Sequence, residues 1–163
     1  MKIEPLNASA FAPFGEVIEM VGRPLSINQG FADRFDDLCK VEGDGIKVSL
    51  FAARPRPLPI AIDLMERHPL GSQAFYPLQN EDWLVLVCTD PSDAQSYRCF
   101  RATGQQGVNY ARNTWHFPLL VFAPSKFIVV DRKGPGNNLE EVMLFHFYDL
   151  LRTNNVWEFK KLK

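Results

Sequence analysis

The sequence predicts a mostly β domain, folded as a sandwich or a small barrel. The chain has 163 residues, which is a usual length for one domain. Its 12 Pro and 10 Gly are spread throughout and separate many short segments. Several of these segments are rich in β-branched and aromatic residues, as strands are. Because no long linker or repeat divides them, we expect residues 1–163 to form a single domain of this class.

The first elements are a short helix and a strand. Asn7 can cap a helix over Ala8–Ala12, since an Asn side chain accepts a hydrogen bond from the first helical turn. Pro13 ends this helix, and Gly15–Met20 follows as the first predicted strand.

The segment Ile46–Ala53 has the clearest strand pattern. Its alternate residues separate an apolar face from a face that carries Lys47, Ser49 and Phe51. An inward-facing Lys is costly unless it is paired, so Lys47 and the neighbouring Ser49 become candidate site residues if their face lines the barrel. The alternative is a solvated Lys at the start of a strand.

Further strands are expected along the rest of the chain. They are Leu58–Glu66, Ala74–Leu78, Trp83–Thr89, Tyr97–Arg101, Trp115–Phe122, Phe127–Asp131 and Val142–Phe147. The first of these is ambiguous between helix and strand, but its β-branched residues favour a strand. Residues 79–82 predict a hairpin connection with Asn80 in a left-handed turn position, and residues 134–138 predict a turn.

Charge and cysteine content exclude several classes of protein. A net charge of -1 gives no reason to expect nucleic acid or an anionic membrane as a partner. Cys39, Cys88 and Cys99 lack metal-ligand spacing, and the last two lie among apolar residues, which predicts buried, reduced thiols. We find neither a signal peptide nor a run of ~18 apolar residues. We therefore expect a soluble, cytoplasmic protein, and its C-terminal lysines are interpreted as a solvated tail.

The segment Glu66–Gln73, ERHPLGSQ, collects a carboxylate, an imidazole and a carboxamide between two predicted strands. Metal-binding double-stranded β-helix proteins, the cupins, carry a motif of His-x-His followed after three or four residues by Glu. Two residues separated by one on a strand point to the same side, and the third ligand returns from the next strand after a turn. On this template Glu66 takes the first His position, His68 the second, and Gln73 the Glu position.

A second segment, residues 107–116, completes this candidate site. His116 lies where the second cupin motif supplies its His, and Asn113 stands where cupins favour Gly. The candidate set is therefore Glu66, His68, Gln73 and His116. Two His and one carboxylate can hold a divalent transition metal with open positions. A metal-free site is equally sound chemistry, with the two His as acid and base and Glu66 orienting one imidazole.

The two motifs, ERHPLGSQAFYPL at 66–78 and GVNYARNTWHFPL at 107–119, resemble those of the ureidoglycolate lyase family. The resemblance also includes FGEVIE near the start and INQGFADRFDDL at 27–38, so it covers nearly the whole chain. It implies a mostly β, cupin-like double-stranded β-helix (jelly-roll) barrel with a few short helices, a homodimer, and nickel as a possible divalent metal cofactor. It also implies cleavage of (S)-ureidoglycolate to glyoxylate and urea in allantoin degradation, although a hydrolase releasing ammonia and carbon dioxide stays open.

This substrate is a carbinolamide that carries a carboxylate, and the candidate residues suit it. His68 or His116 can act as base, while Glu66 or Gln73 places the substrate or metal. The substrate carboxylate needs a cation or hydrogen-bond donors, and the candidates are Lys47, Ser49, Arg34, Tyr110 and Arg112. For Arg34 the alternative is a local ion pair with one of three nearby Asp residues.

Three other functions remain open from the sequence. The chain could be a non-catalytic cupin module that binds a small carboxylic acid, a metal-dependent cupin enzyme of another reaction class, or a structural dimerisation domain. Glu66 and Gln73, in place of His and Glu, argue against a firm ferrous or manganese site. His146, in the apolar segment MLFHF, is interpreted as a core or sheet-face residue.

Overall fold

The computed structural model describes residues 1–154 and 156–162, except for the side chains of Phe145 and His146, so the interpretation of His146 lies outside the described residues. A single α-helix, α1 (Ala8–Phe11), and two 3-10 turns, Asn28–Gly30 and Ala94–Ser96, accompany the described strands. The strands are β1 (Ile3–Pro5), β2 (Gly15–Ile18), β3 (Leu25–Ile27), β4 (Ala32–Arg34), β5 (Ile46–Ala53), β6 (Ile60–Arg67), β7 (Gln73–Pro77), β8 (Trp83–Cys88), β9 (Tyr97–Ala102), β10 (Gly107–Tyr110), β11 (Trp115–His116), β12 (Leu120–Val121), β13 (Ser125–Arg132), β14 (Glu140–Thr153) and β15 (Val156–Lys161).

Two sheets form the barrel. The larger has the order β1-β9-β8-β11-β6-β14-β15, with β12 also paired to β8, and the smaller has the order β2-β10-β7-β13-β5. All pairs are antiparallel except β1 with β9. A separate hairpin joins β3 and β4. This architecture confirms the expected mostly β jelly-roll barrel with a few short helices.

The core lies on both faces of the larger sheet. Every residue of β8 is buried, and alternate residues enter two different apolar clusters, Trp83, Val85 and Val87 in one and Leu84, Leu86 and Cys88 in the other. The first cluster also contains residues of the smaller sheet, so it fills the barrel interior. A strand buried on both faces reads as a continuous apolar run, as WLVLVC does.

Strand β5 shows which of its faces points inward. Lys47 pairs with Asp131 and Phe51 with Phe127 of β13, and both β13 residues are buried. Opposed residues of an antiparallel pair lie on the same face, so the face with Lys47, Ser49 and Phe51 points into the barrel. The opposite face is solvent-exposed, and its Leu50 is 73% exposed.

Several local predictions are confirmed. Strand β5 has the expected bounds, and the segment that was ambiguous between helix and strand forms the strand β6. The side chain of Asn7 caps α1 by accepting a hydrogen bond from the Ala10 N–H at 2.9 Å. Cys88 and Cys99 are buried free thiols. In the described part of the chain, we find no helix long and apolar enough for a membrane span.

Four local predictions were wrong. Residues 79–82 do not close a hairpin, because β7 pairs with β10 and β13 while β8 lies in the other sheet, and Asn80 has no positive φ. The segment Trp115–Phe122 divides into β11 and β12, since Pro118 between them has no N–H for a ladder. Strand β14 is longer than expected and shifts register between Met143 and Tyr148. The C-terminal lysines were expected in a solvated tail, but Lys160 and Lys161, although exposed, belong to β15, which pairs with β14, and Lys163 lies outside the described residues.

Candidate active site

The ERHPLGSQ segment joins the end of β6 to the start of β7. Glu66 lies on β6, His68 just follows it, and Gln73 begins β7. Gly71 allows the connecting turn to pack closely, since a Cβ there would lie 2.7 Å from both the Cβ of Arg132 and the carbonyl oxygen of Glu42. The Leu70 N–H donates to Oδ1 of Asn138 at 2.8 Å. These contacts fix the turn that holds His68.

His116 reaches the same place from β11. It is paired in register with Glu66 on one side and with Val87 on the other, so its side chain shares the inner face. It is only 2% exposed, and its ring stacks on that of Tyr110 with the centroids 4.0 Å apart and an interplanar angle of 10°. Tyr110 therefore lies at the site, where its ring fixes the plane of the imidazole.

Glu66, His68 and His116 converge in space. One potential ligand atom from each lies within 4.8 Å of those of the other two. Nε2 of His116 is 3.4 Å from Oε1 of Glu66, and the two imidazole centroids are 5.4 Å apart. Gln73 is buried beside them, since its side chain acts on the pKa of His68. The four residues predicted from the two motifs are thus brought together.

Both imidazoles have a defined tautomer. Nδ1 of His68 lies 2.6 Å from the carbonyl oxygen of Asn138, and Nδ1 of His116 lies 2.9 Å from that of Thr114. A carbonyl oxygen only accepts, so each neutral ring carries its proton on Nδ1 and a lone pair on Nε2. Among the described residues, neither buried Nε2 has a hydrogen-bond partner, and neither does Oε1 of Gln73.

The cluster is consequently a convergence of acceptors. Two lone pairs, a carboxylate and an amide oxygen face one another, and such a set is stabilised only by a proton or a cation placed among them. This composition, two imidazoles with one carboxylate, is one that divalent transition metals accept. Glu66, His68 and His116 are the residues that could hold such an ion.

Burial and neighbouring charges shift two of the pKa values. Burial alone would raise the pKa of Glu66, but His116, His68 and Arg56 together hold it below its usual value. Burial lowers the pKa of His68, and the adjacent His116 adds to this, against smaller opposing effects of Asn138, Glu66 and Gln73. Glu66 is therefore an anion and His68 a neutral base near neutral pH.

Lys47 and Ser49 lie on the inner face of the barrel. This meets the condition under which the sequence made them candidate site residues. Nζ of Lys47 is 3.1 Å from Oδ1 of Asp131. Asp131 is also paired in register with Gln73, so one row across the smaller sheet runs from Lys47 through Asp131 and Gln73 to Tyr110. The ion pair satisfies Lys47 and reduces the charge that it offers to another anion.

Arg34 and Arg112 have partners of their own. Nε of Arg34 lies 2.9 Å from Oδ1 of Asp36, which confirms the local alternative, and Arg34 belongs to the separate β3–β4 hairpin. Nε of Arg112 lies 4.0 Å from Oε2 of Glu42. Among the described residues, neither Arg forms a hydrogen bond or ion pair with Glu66, His68, Gln73 or His116, so their part in substrate binding stays a prediction.

A cleft of about 490 Å³ opens beside the cluster. Glu66 and Gln73 line it, and so do Arg54 and Arg56 from the loop between β5 and β6. The guanidinium carbon of Arg56 lies 4.9 Å from the centroid of the Phe117 ring. The arrangement joins an acceptor cluster suited to proton transfer with a cationic wall in one small cleft.

The comparisons with known proteins agree with these motifs. The sequence profile described as ureidoglycolate lyase matches residues 1–150. The chain belongs to the ureidoglycolate lyase family. Ureidoglycolate lyase 1 of Rhizobium meliloti (strain 1021) is 51% identical over 154 residues, which are 90% of this chain and 89% of that protein. Ureidoglycolate lyase of Burkholderia mallei (strain NCTC 10229) is 49% identical, over 86% of this chain and 87% of that protein. Ureidoglycolate lyase of Chelativorans sp. (strain BNC1) is 47% identical, over 90% of this chain and 93% of that protein.

Similarity to solved structures is lower. Oxalate decarboxylase of Bacillus subtilis aligns with a TM-score of 0.37 and 13% identity over 61% of this chain. The chain spans 23% of the length of that protein.

One departure from the cupin pattern has a structural explanation in this member of the ureidoglycolate lyase family. Asn113 has a φ of 68°, in the left-handed region. Among residues with a side chain, Asn adopts this region most readily, so it can replace the Gly expected there. Its N–H donates to the carbonyl oxygen of His68 at 3.0 Å, which connects the two motifs directly.

Arg54 and Arg56 were missed from the sequence. The sequence feature that could have indicated them is Arg-Pro-Arg-Pro at 54–57, two cations that alternate with prolines directly after the clearest strand. A loop sequence does not say which strands it passes, however, and the position of these residues beside Glu66 depends on how β5 and β6 are placed in different sheets.

Proposed function

We propose that this protein cleaves (S)-ureidoglycolate to glyoxylate and urea. The observation that carries the proposal is the convergence of Glu66, His68 and His116 beside a cleft of about 490 Å³, in a chain of the ureidoglycolate lyase family. Relatives that are about half identical carry the name ureidoglycolate lyase. The reaction belongs to allantoin and purine degradation.

The reaction moves two protons and breaks one bond. The hydroxyl proton of the substrate leaves, its oxygen forms the aldehyde of glyoxylate, the carbon–nitrogen bond breaks, and the urea nitrogen receives a proton. Nε2 of His68 accepts the hydroxyl proton, because its lone pair is exposed to the cluster and free of a partner among the described residues. His116 supplies the proton to nitrogen, and its Nε2 lies 3.4 Å from Oε1 of Glu66, which orients the ring.

The cluster also fits a divalent metal ion, since the buried Nε2 atoms of His68 and His116 have no hydrogen-bond partner among the described residues and lie beside the carboxylate of Glu66. Glu66, His68 and His116 would hold the ion, with Gln73 as a weaker neutral neighbour. Bound there, a metal would supply Lewis-acid polarisation of the substrate hydroxyl. Nickel is the metal that the family resemblance implies.

A product assay tests the function. Purified protein is given (S)-ureidoglycolate, and urea, ammonia and glyoxylate are measured separately, before and after chelation and metal restoration. Urea with glyoxylate in equal amounts supports the lyase, whereas ammonia without urea would replace it with a hydrolase. Formation of none of the three products, even with nickel or manganese restored, would overturn the proposal in favour of a module that binds a small carboxylic acid.

Two further features belong to the proposal. The protein acts in the cytoplasm, and it forms a homodimer through the outer face of β5. This face lies on an edge strand and exposes Ile46, Val48 and Leu50, which are 47%, 70% and 73% exposed. An apolar row on an open sheet edge is stabilised by pairing with a second copy of the chain.

A further inference from the structure

The cleft beside the cluster has two chemically different ends. Glu66 and Gln73 contribute acceptors to its lining, and Arg54 and Arg56 contribute guanidinium groups. Between them the lining is apolar, with Phe51 and Phe75 as its aromatic members. A ligand that fits both ends must be small and must carry an anionic group together with a group that can give up or share a proton.

The two arginines differ from most others in the chain. Five arginines have carboxylate partners within 3.0 Å, as ion pairs of Arg34 with Asp36, Arg67 with Glu140, Arg98 with Glu4, Arg101 with Asp82, and Arg132 with Asp44. In residues 1–154 and 156–162, we find no hydrogen bond or ion pair of this kind for Arg54 or Arg56. Lys47, the other cation near this wall, is already paired with Asp131. Arg54 and Arg56 therefore provide the available positive charge of the cleft.

Arg56 is held in place despite its exposure. Pro55 and Pro57 restrict the backbone on either side of Arg56, which lowers the entropy lost when a ligand binds. The guanidinium of Arg56 lies over the ring of Phe117, which is buried and directly follows His116. The strand residue that carries the imidazole and the residue that supports the cation are thus neighbours in the chain.

We propose that Arg54 and Arg56 bind the carboxylate of a small 2-hydroxy acid substrate and orient its hydroxyl group toward the His68–His116 pair. Arginine is suited to this task, because its planar fork binds a carboxylate through two parallel hydrogen bonds. With the carboxylate fixed at one end, the neighbouring carbinol carbon is directed toward the acceptor cluster. This inference rests on the proposed function for the identity of the substrate, and it names residues that neither motif contains.

The first test compares kinetics of the variants Arg54→Gln, Arg56→Gln and the double variant. Hydrogen bonds to charged groups lead us to expect kcat/KM for ureidoglycolate to fall about 10- to 100-fold in each single variant, mainly through KM. Arg→Lys at either position should restore only part of it, since Lys keeps the charge but loses the fork. Arg23→Gln is the matched control, because Arg23 is exposed and lies outside the lining of the cleft. Unchanged KM in the double variant would overturn the inference.

The second test does not require turnover. Binding of glycolate and of its neutral analogue glycolamide is measured by titration calorimetry on wild type and the double variant. We expect glycolate affinity to fall at least tenfold in the double variant while glycolamide binding stays the same. Equal glycolate affinity in both proteins, or no glycolate binding to wild type, would overturn the carboxylate subsite. If wild type binds glycolate through these arginines but forms no product from ureidoglycolate, the subsite stands and only the proposed function fails.

Discussion

Nδ1 of His68 lies 2.6 Å from the backbone carbonyl oxygen of Asn138, a residue 70 positions further along the chain. The same residue accepts the Leu70 N–H through its side-chain oxygen at 2.8 Å. Asn138 therefore holds both the orientation of the imidazole and the turn that follows it. Since its carbonyl only accepts, it also keeps the Nε2 lone pair of His68 directed at the cluster. The loop between β13 and β14 thus supports a site whose reacting groups lie on other strands.

Replacing Asn138 with Ala should lower kcat several-fold without removing activity. The carbonyl contact to His68 remains, but the turn loses the hydrogen bond to Leu70, which contributes about 1 kcal/mol to the free energy of unfolding. Asn137→Ala is the control, because among the described residues its side chain bonds only to the exposed backbone of Leu139. Steady-state kinetics and urea unfolding measure the two effects. Equal kcat in both variants would show that the Asn138 side chain does not position the turn.

Replacing His68 or His116 with Ala should each reduce kcat by roughly 10²–10⁴-fold, the usual contribution of a positioned acid or base. His116 is buried and stacked on Tyr110, so its loss should also lower the melting temperature, whereas the half-buried His68 should cost less stability. Activity assays are paired with thermal unfolding followed by circular dichroism. Full activity in either variant would exclude it from the proposed mechanism.

The sequence predicted the cluster well because its geometry is local. Glu66 and His68 are spaced by one residue at a strand end, and the turn to Gln73 is short, so strand periodicity alone places them on one side. Only His116 needed a second motif. The structure brings all four together, with Tyr110 against His116. Their chemical roles remain proposals.

The long-range features could not be predicted in this way. An apolar strand pattern does not specify its partner, so residues 79–82 looked like a hairpin although β7 and β8 lie in different sheets. For the same reason the sequence pattern does not place Arg54 and Arg56 beside Glu66, where the structure has them. Arg34 is the opposite case, since the sequence predicted a local ion pair as its alternative and the structure gives it Asp36 as a partner.

The cluster should bind one divalent ion, with nickel bound more tightly than magnesium, because imidazole ligands favour the former. Glu66→Gln should weaken nickel binding by removing the charged ligand. Glu81→Gln, which changes an exposed carboxylate between β7 and β8, should leave it unchanged. Titration calorimetry after dialysis against a chelator gives the affinities. Magnesium binding as tight as nickel, or equal losses in the two variants, would contradict a site made by these residues.

The thiols should differ sharply in reactivity. Burial raises the pKa of Cys88 to about 12, and it raises the pKa of the wholly buried Cys99 as well. The thiolate is the reacting form, so both should be inert in the folded protein, while the partly exposed Cys39 reacts slowly. Titration with a chromogenic disulfide should detect one thiol in native protein and all 3 Cys after denaturation. Rapid labelling of Cys88 without unfolding would contradict the packing around β8.

The outer face of β5 should control dimerisation. Leu50→Glu places a charge on this face, where a partner chain would have to desolvate it, so we expect the dimer to dissociate while the barrel stays folded. Met143→Glu is the matched control, since Met143 and Leu50 are both 73% exposed but lie in different sheets. Sedimentation velocity should give a monomer for the first variant and a dimer for the second and for wild type. A wild-type monomer, or a Leu50→Glu dimer, would show that this face is not the interface.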